Sequence, residues 1–321
     1  MVRKAKFILG TRGSKLALWQ SNHIASILTE KAGVEVELKI IKTQGDKILD
    51  APLSKIGDKG LFVKEIETAL IEGEADLAVH SSKDVPTAIP EQLMLGAFLE
   101  RADARDVLIS KSGKNLLNLP EGAVIGTSSL RRRAQILNRR PDLKIEDVRG
   151  NLDTRLRKMD EGLFDAIILA AAGLDRMGWN EGITERISPD VMLSAVGQGA
   201  IAVEIRKNDK EMLDLMKHLE DPVTRAAVTA ERALLRELEG GCQIPIGAFG
   251  VVEDGKLKLD GMVAGLDGKK LVRGIIIGDP QEAEELGVQL ADKLRDIGAD
   301  EILAEVRAEA QMVPKPIHTN G

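Results

Sequence analysis

Along the first half of the chain, short apolar runs alternate with stretches of helical period. Residues 7–10, Phe-Ile-Leu-Gly, form an apolar run that predicts a buried strand, and residues 14–31 place Leu16, Trp19, Ile24, Ile27 and Leu28 at helical spacing. Residues 34–41 alternate and are β-branched, which predicts a second strand. Residues 43–60 mix glycine, charge and proline without a period and read as a long mobile loop of the lid kind. A helix is predicted over 63–72, then a strand from Asp76 that runs into the polar turn Ser81-Ser-Lys-Asp-Val-Pro86. The same unit recurs downstream. Residues 123–126 read as a strand leading to Thr127-Ser-Ser-Leu-Arg-Arg-Arg133, after which Leu130, Ala134 and Leu137 share a helical face. Strands are predicted over 144–148 and 165–169, with a helix over 152–162 between them.

Strands alternating with helices imply mostly parallel α/β sheets, in which ligands gather where strand C-termini meet helix N-termini. A boundary is expected near 99–105, and strand-like residues 200–205 suggest that the chain returns there, so that residues 1–100 and 197–218 form one discontinuous domain and 101–196 a second. From Pro222 the pattern changes. A strong helix over 224–238 and a turn at Gly240-Gly-Cys-Gln-Ile-Pro245 precede strands over 246–252, 256–264 and 270–277 and helices over 281–297 and 300–310, an α+β domain spanning 219–321.

Composition narrows the classes. Of 321 residues, 43% are hydrophobic and 30% charged, the proportions of a globular protein of two or three domains. No export signal or membrane span is readable near the first residues, and one cysteine with four scattered histidines predicts neither a disulfide nor a structural metal. A cytoplasmic protein is expected. The net charge of −6 argues against a general nucleic-acid binder, yet residues 125–157 hold eight Arg and one Lys against four acidic residues. That stretch contains no aromatic residue to stack bases, so small polyanions suit it better than single strands.

Several polar groups stand out at the predicted junctions. Arg131, Arg132, Arg149 and Arg155 cluster near helix starts, where guanidinium groups suit bidentate capture of carboxylates, and Ser128 or Ser129 is placed to cap. Gly10-Thr-Arg-Gly-Ser14 lacks Walker A spacing, and Gly197-Gln-Gly-Ala-Ile-Ala202 follows a poor strand, so it reads as a hinge rather than a dinucleotide loop. Lys83 and Asp84 set a cation beside a carboxylate that could stabilise a developing cation. Cys242 follows two glycines; a buried structural thiol and a covalent anchor both fit that position.

Together, Gly10-Thr-Arg-Gly-Ser-Lys-Leu-Ala17, Lys59-Gly-Leu-Phe-Val-Lys-Glu65, Val79-His-Ser-Ser-Lys-Asp-Val-Pro86, Gly126-Thr-Ser-Ser-Leu-Arg-Arg132, Arg149-Gly-Asn-Leu-Asp-Thr-Arg155, Ala195-Val-Gly-Gln-Gly199 and Gly240-Gly-Cys242 resemble the porphobilinogen deaminase family over most of the chain. The resemblance departs at Ser82, where a larger apolar residue is common. It implies two α/β domains like those of type II periplasmic binding proteins around a cleft, plus the smaller α+β domain. It also implies a dipyrromethane cofactor joined by thioether to Cys242, onto which four porphobilinogen units are strung with loss of ammonia before hydrolysis releases hydroxymethylbilane. Every ring brings two carboxylates. On that resemblance Arg12, Ser14, Ser81, Lys83, Thr127, Ser128, Ser129, Arg131, Arg132, Arg149, Arg155, Arg176 and Gln198 hold cofactor and substrate, Asp84 is catalytic, and Lys55, Lys59 and Phe62 gate the cleft. A monomer that passes its product to uroporphyrinogen III synthase is expected. Two other classes use the same features: a non-catalytic receptor for a dicarboxylate, which needs neither Cys242 nor Asp84, and a nucleic-acid module using residues 125–157.

Overall fold

In the computed structural model, residues 6–47, 60–239 and 244–312 are described. Lys55, Lys59 and Cys242 lie outside them. The chain begins with β1 (Lys6–Thr11), α1 (Lys15–Ala32), β2 (Glu35–Ile40), the single turn α2 (Gln44–Lys47) and α3 (Lys64–Ile71), followed by β3 (Leu77–Ser81) and β4 (Leu93–Phe98). It then crosses to β5 (Asp106–Ser110), β6 (Val124–Gly126), α4 (Leu130–Arg139), β7 (Lys144–Glu146), α5 (Leu152–Asp160), β8 (Ala166–Ala170), α6 (Ala171–Met177) and β9 (Glu185–Arg186). A second crossing leads to β10 (Ile201–Arg206), α7 (Lys210–Met216) and α8 (Pro222–Glu237). The chain ends with β11 (Ile246–Glu253), β12 (Lys256–Ala264), β13 (Leu271–Gly278), α9 (Ala283–Asp296) and α10 (Ala299–Met312).

These strands build two five-stranded sheets, ordered β2-β1-β3-β10-β4 and β7-β6-β8-β5-β9, and a three-stranded antiparallel sheet β11-β12-β13. The expected α/β class with a smaller α+β part is the class observed. The expectation of mostly parallel sheets needs correction, because both large sheets are mixed. In the first, β10 runs antiparallel to β3 and β4, and in the second β5 runs antiparallel to β8 and β9. The reason is topological: each crossing strand enters its sheet from the other unit, without the helical crossover that makes neighbouring strands parallel.

Each sheet has its own core. Phe7, Leu9, Ile24, Leu28 and Val203 pack about the first, Leu108, Ile125, Ile136 and Ile168 on one face of the second, and Leu234, Leu259, Leu290 and Leu294 under the third. A fully buried leucine contributes about 1.5–3 kcal/mol, so each cluster is a substantial hydrophobic core. The third unit is bound to the crossings by Glu231 of α8, which is fully buried. Its carboxylate accepts from Arg101 Nη1 at 2.5 Å in the first crossing, from the Gly197 N–H at 2.6 Å in the second, and from the Gly250 N–H at 2.7 Å in β11. The second crossing is tight. At Gly197, with φ +70°, a Cβ would sit 2.5 Å from Ser82 Oγ, and at Gly199, with φ +88°, 2.5 Å from the Ala102 carbonyl. Glycine is required there for both torsion and space. Ser82, the small residue in place of a larger apolar one, is 1% exposed against Gly197, so the departure noted in the sequence lies in this contact.

Candidate active site

Between the two mixed sheets lies a cleft of about 350 Å³. The starts of α1, α4 and α5 all reach it, so three helix dipoles present their positive ends to one space. Ser14 caps α1 by accepting from the Ala17 N–H, and Ser129 caps α4 by accepting from the Arg132 N–H at 3.4 Å. Its side-chain charge agrees with the dipoles: seven cations, Arg12, Lys15, Lys83, Arg132, Arg149, Arg155 and Arg176, line it against the carboxylates of Asp46, Asp84 and Asp153.

Two of those carboxylates are committed. Asp46 takes Arg12 Nη2 at 2.5 Å, with Arg12 stacked over the Phe62 ring at 4.3 Å, and Asp153 pairs with Lys15 at 3.4 Å. Asp84 is exposed to the cleft in the turn Ser82–Asp84 that follows β3, and among the described residues no side chain donates a hydrogen bond to it. The charges of Lys83 and Arg155 lie within its electrostatic reach. This makes it the carboxylate open to a cationic group entering the cleft.

The arginines fall into two sets. Arg149 has its Nε and Nη2 buried with no hydrogen-bond partner among the described residues. Arg155 Nε donates to the Gly150 carbonyl at 2.8 Å and Arg176 Nη2 to the Gly199 carbonyl at 2.7 Å, and neither forms an ion pair with a described carboxylate. Burial pushes both guanidiniums down, to about 10. Cations held this way favour an anion from outside. Arg131 and Arg132 are instead 5% exposed each and share the buried Asp106. Burial alone would raise the Asp106 carboxyl, but the charges and hydrogen bonds of the two arginines outweigh it and hold it far below the usual carboxylate range.

The site residues named from the sequence therefore separate. Arg12, Ser14, Ser81, Lys83, Asp84, Ser128, Arg132, Arg149, Arg155 and Arg176, with Phe62, come together on the cleft lining. Ser81 is engaged by Gln20 Nε2 at 3.0 Å, and Ser128 Oγ donates to the Val148 carbonyl. Thr127, Ser129, Arg131 and Gln198 are set behind that lining; Thr127 and Gln198 are buried, and Gln198 Nε2 donates to the Ala104 carbonyl and to Asp106. Sequence reading missed Asp106, Gln20 and Asp46. The one local signal for Asp106 is a carboxylate opening an apolar strand, and for Gln20 and Asp46 there is none. No helix among the described residues is long and apolar enough to cross a membrane.

Known proteins give this geometry a context. Residues 7–214 match the family model "Porphobilinogen deaminase, dipyromethane cofactor binding domain" and residues 225–296 match "Porphobilinogen deaminase, C-terminal domain". The chain is 52% identical over 299 residues to a porphobilinogen deaminase of Syntrophobacter fumaroxidans, covering 93% of this chain and 97% of that one. It is also 52% identical over 308 residues to one of Chlorobaculum parvum, covering 95% and 99%. Among solved structures it is similar to a substrate-binding domain of a putative amino acid ABC transporter from Streptococcus pneumoniae, at 14% identity and a TM-score of 0.44 over 67% of this chain and 92% of that one. On its full-length kinship and its matched domains, the chain belongs to the porphobilinogen deaminase family.

Proposed function

We propose that this chain joins four porphobilinogen units, with loss of ammonia from each, onto a dipyrromethane primer held by the Cys242 thiol, and then releases linear hydroxymethylbilane by hydrolysis. The residues fit such a primer. A group bearing two carboxylates per ring calls for cations that the protein has not already neutralised, and the buried Nε and Nη2 of Arg149, without a partner among the described residues, are of that kind. This unsatisfied guanidinium, beside Arg155, Arg176 and the open carboxylate of Asp84, is the observation that carries the reading. When bound, the primer supplies the free pyrrole α-carbon on which the chain is lengthened.

The protein's own residues do the rest. Arg149, Arg155 and Arg176, aided by Arg12 and Lys83, hold acetate and propionate groups and so fix the position of each ring. Ser14, Ser81, Thr127, Ser128 and Ser129 serve as caps and hydroxyl partners at helix starts, while Arg131, Arg132 and Gln198 set the wall behind them. Asp84 stabilises positive charge that develops on the pyrrole as ammonia departs, and accepts and returns the proton that rearomatisation releases. Lys55, Lys59 and Phe62 gate the cleft as the chain lengthens. Residues 1–100 with 197–218, 101–196 and 219–321 act as three domains of a cytoplasmic monomer, which hands its product to uroporphyrinogen III synthase.

The intact mass of freshly purified chain tests the reading. It is expected to exceed the sequence mass by two pyrrole units, and Cys242→Ser to lose both that increment and turnover. An unmodified chain from cells supplied with precursor overturns it.

A further inference from the structure

Asp106 opens β5 at the end of the first crossing, with no exposed surface. Its Oδ2 accepts from Arg131 Nη1 at 2.8 Å, and its Oδ1 accepts from Arg132 Nε and Nη2 at 3.1 and 2.7 Å and from Gln198 Nε2 at 2.9 Å. These donors arrive from two places, the first turn of α4 and the second crossing. The network continues toward the cleft: Gln198 Oε1 accepts from Lys83 Nζ at 3.5 Å, and Lys83 precedes Asp84 in its turn. Arg132 is pinned further by donating from Nη1 to the Ile168 carbonyl at 2.9 Å.

Two adjacent buried guanidiniums repel each other and are poorly hydrated, so burying both in the interior is costly unless an anion lies between them. Asp106 is that anion. We propose that Asp106 is a positioning residue for the reaction, one that fixes Arg132 in the cleft wall and, through Gln198, the Lys83 ammonium beside Asp84. The inference rests on the function proposed above, because it is that reaction which needs the cations preset. Burial pushes the Lys83 ammonium down to about 8; Arg132 and Arg131 push the same way, while Asp84 and Asp106 oppose them. Without the Asp106 charge, Lys83 loses its proton at lower pH and holds a carboxylate less firmly at neutral pH.

The test compares the full-length wild type with Asp106→Asn, which keeps shape and removes charge, and Asp106→Glu, which keeps charge and displaces it. Asp106→Asn is expected to raise KM for porphobilinogen about tenfold, the scale of a lost hydrogen bond to a charged group. Its alkaline limb in kcat/KM should also move to lower pH by about one unit. Asp106→Glu is expected to raise KM by about threefold while leaving that limb in place. A purely structural role would lower Tm in both variants without moving KM or the limb of the folded fraction, and that result overturns the proposal. If Asp106→Asn does not fold, Asp106→Glu decides, and an unchanged KM there overturns it. Should the wild type prove inactive on porphobilinogen, the functional reading falls on its own. Titration of 13C-methylated Lys83 by NMR, assigned with Lys83→Arg, still tests Asp106: a midpoint that does not move between wild type and Asp106→Asn overturns the inference.

Discussion

Arg131 and Arg132 differ from Arg149, Arg155 and Arg176 in one respect that decides what each set does. Four of the five lie within one basic stretch, residues 125–157, with Arg176 further along the chain, and all but Arg131 line the same cleft. The first two are buried on a carboxylate that the fold itself supplies, Asp106, while the other three are half-buried with backbone carbonyls or nothing for partners among the described residues. Of these five, the two with an internal carboxylate serve the architecture, and the three without one keep their charge for a ligand.

The comparison can be broken at several points. Arg131→Ala should leave the buried Asp106 half-paired and cost roughly 3–5 kcal/mol of unfolding free energy in urea. A loss below about 1 kcal/mol would move Arg131 into the ligand-facing set. Asp84→Ala should retain the primer by mass yet lower turnover about 10²–10³-fold, the scale of a removed charge-stabilising group; normal turnover would take away its assigned role. Arg149→Ala or Arg155→Ala should leave unfolding nearly unchanged but stall elongation at a defined enzyme-bound intermediate, with turnover down about tenfold. Uninterrupted elongation would show that these arginines do not hold the growing chain.

A pH series sharpens the first set. The Asp106 carboxyl titrates below its unfolded value of about 3.9, so its contribution to stability is present above that pH and is lost as pH falls toward the folded value. Wild type should therefore lose more stability than Asp106→Asn between pH 6 and 3, measured by urea unfolding, and equal losses would contradict the assignment. The smallest effect is expected at Arg157, an exposed partner of Glu161 one helical turn away, where Arg157→Ala should change stability by less than about 0.5 kcal/mol.

Much of the fold was legible because the signals are local. The strand-turn-helix units at β1 and β6, the strand β3 with its polar turn and the long helix α8 coincide closely with their periodicities, and β12 spans the residues expected of it. The strands Leu93–Phe98 and Asp106–Ser110 and the helices Ala171–Met177 and Lys210–Met216 were not anticipated, since each is short and carries too few residues for a period to emerge. At the site, polar turns at strand ends marked Arg12, Lys83, Asp84 and Arg149. They could not distinguish Arg131 from Arg149, because the carboxylate that separates them lies 25 positions from Arg131 in the chain.

What the sequence determined by itself was the longer and more periodic elements, the motifs of the family and the presence of an anion-seeking cluster, all of which depend on residues close together in the chain. What only the tertiary structure decided was the antiparallel entry of the crossing strands, the bolting of three units through Glu231, and the sorting of the arginines by Asp106. The physical reason is the same in each case: burial and Coulombic pairing act through space, and a charge's partner has no fixed separation along the chain.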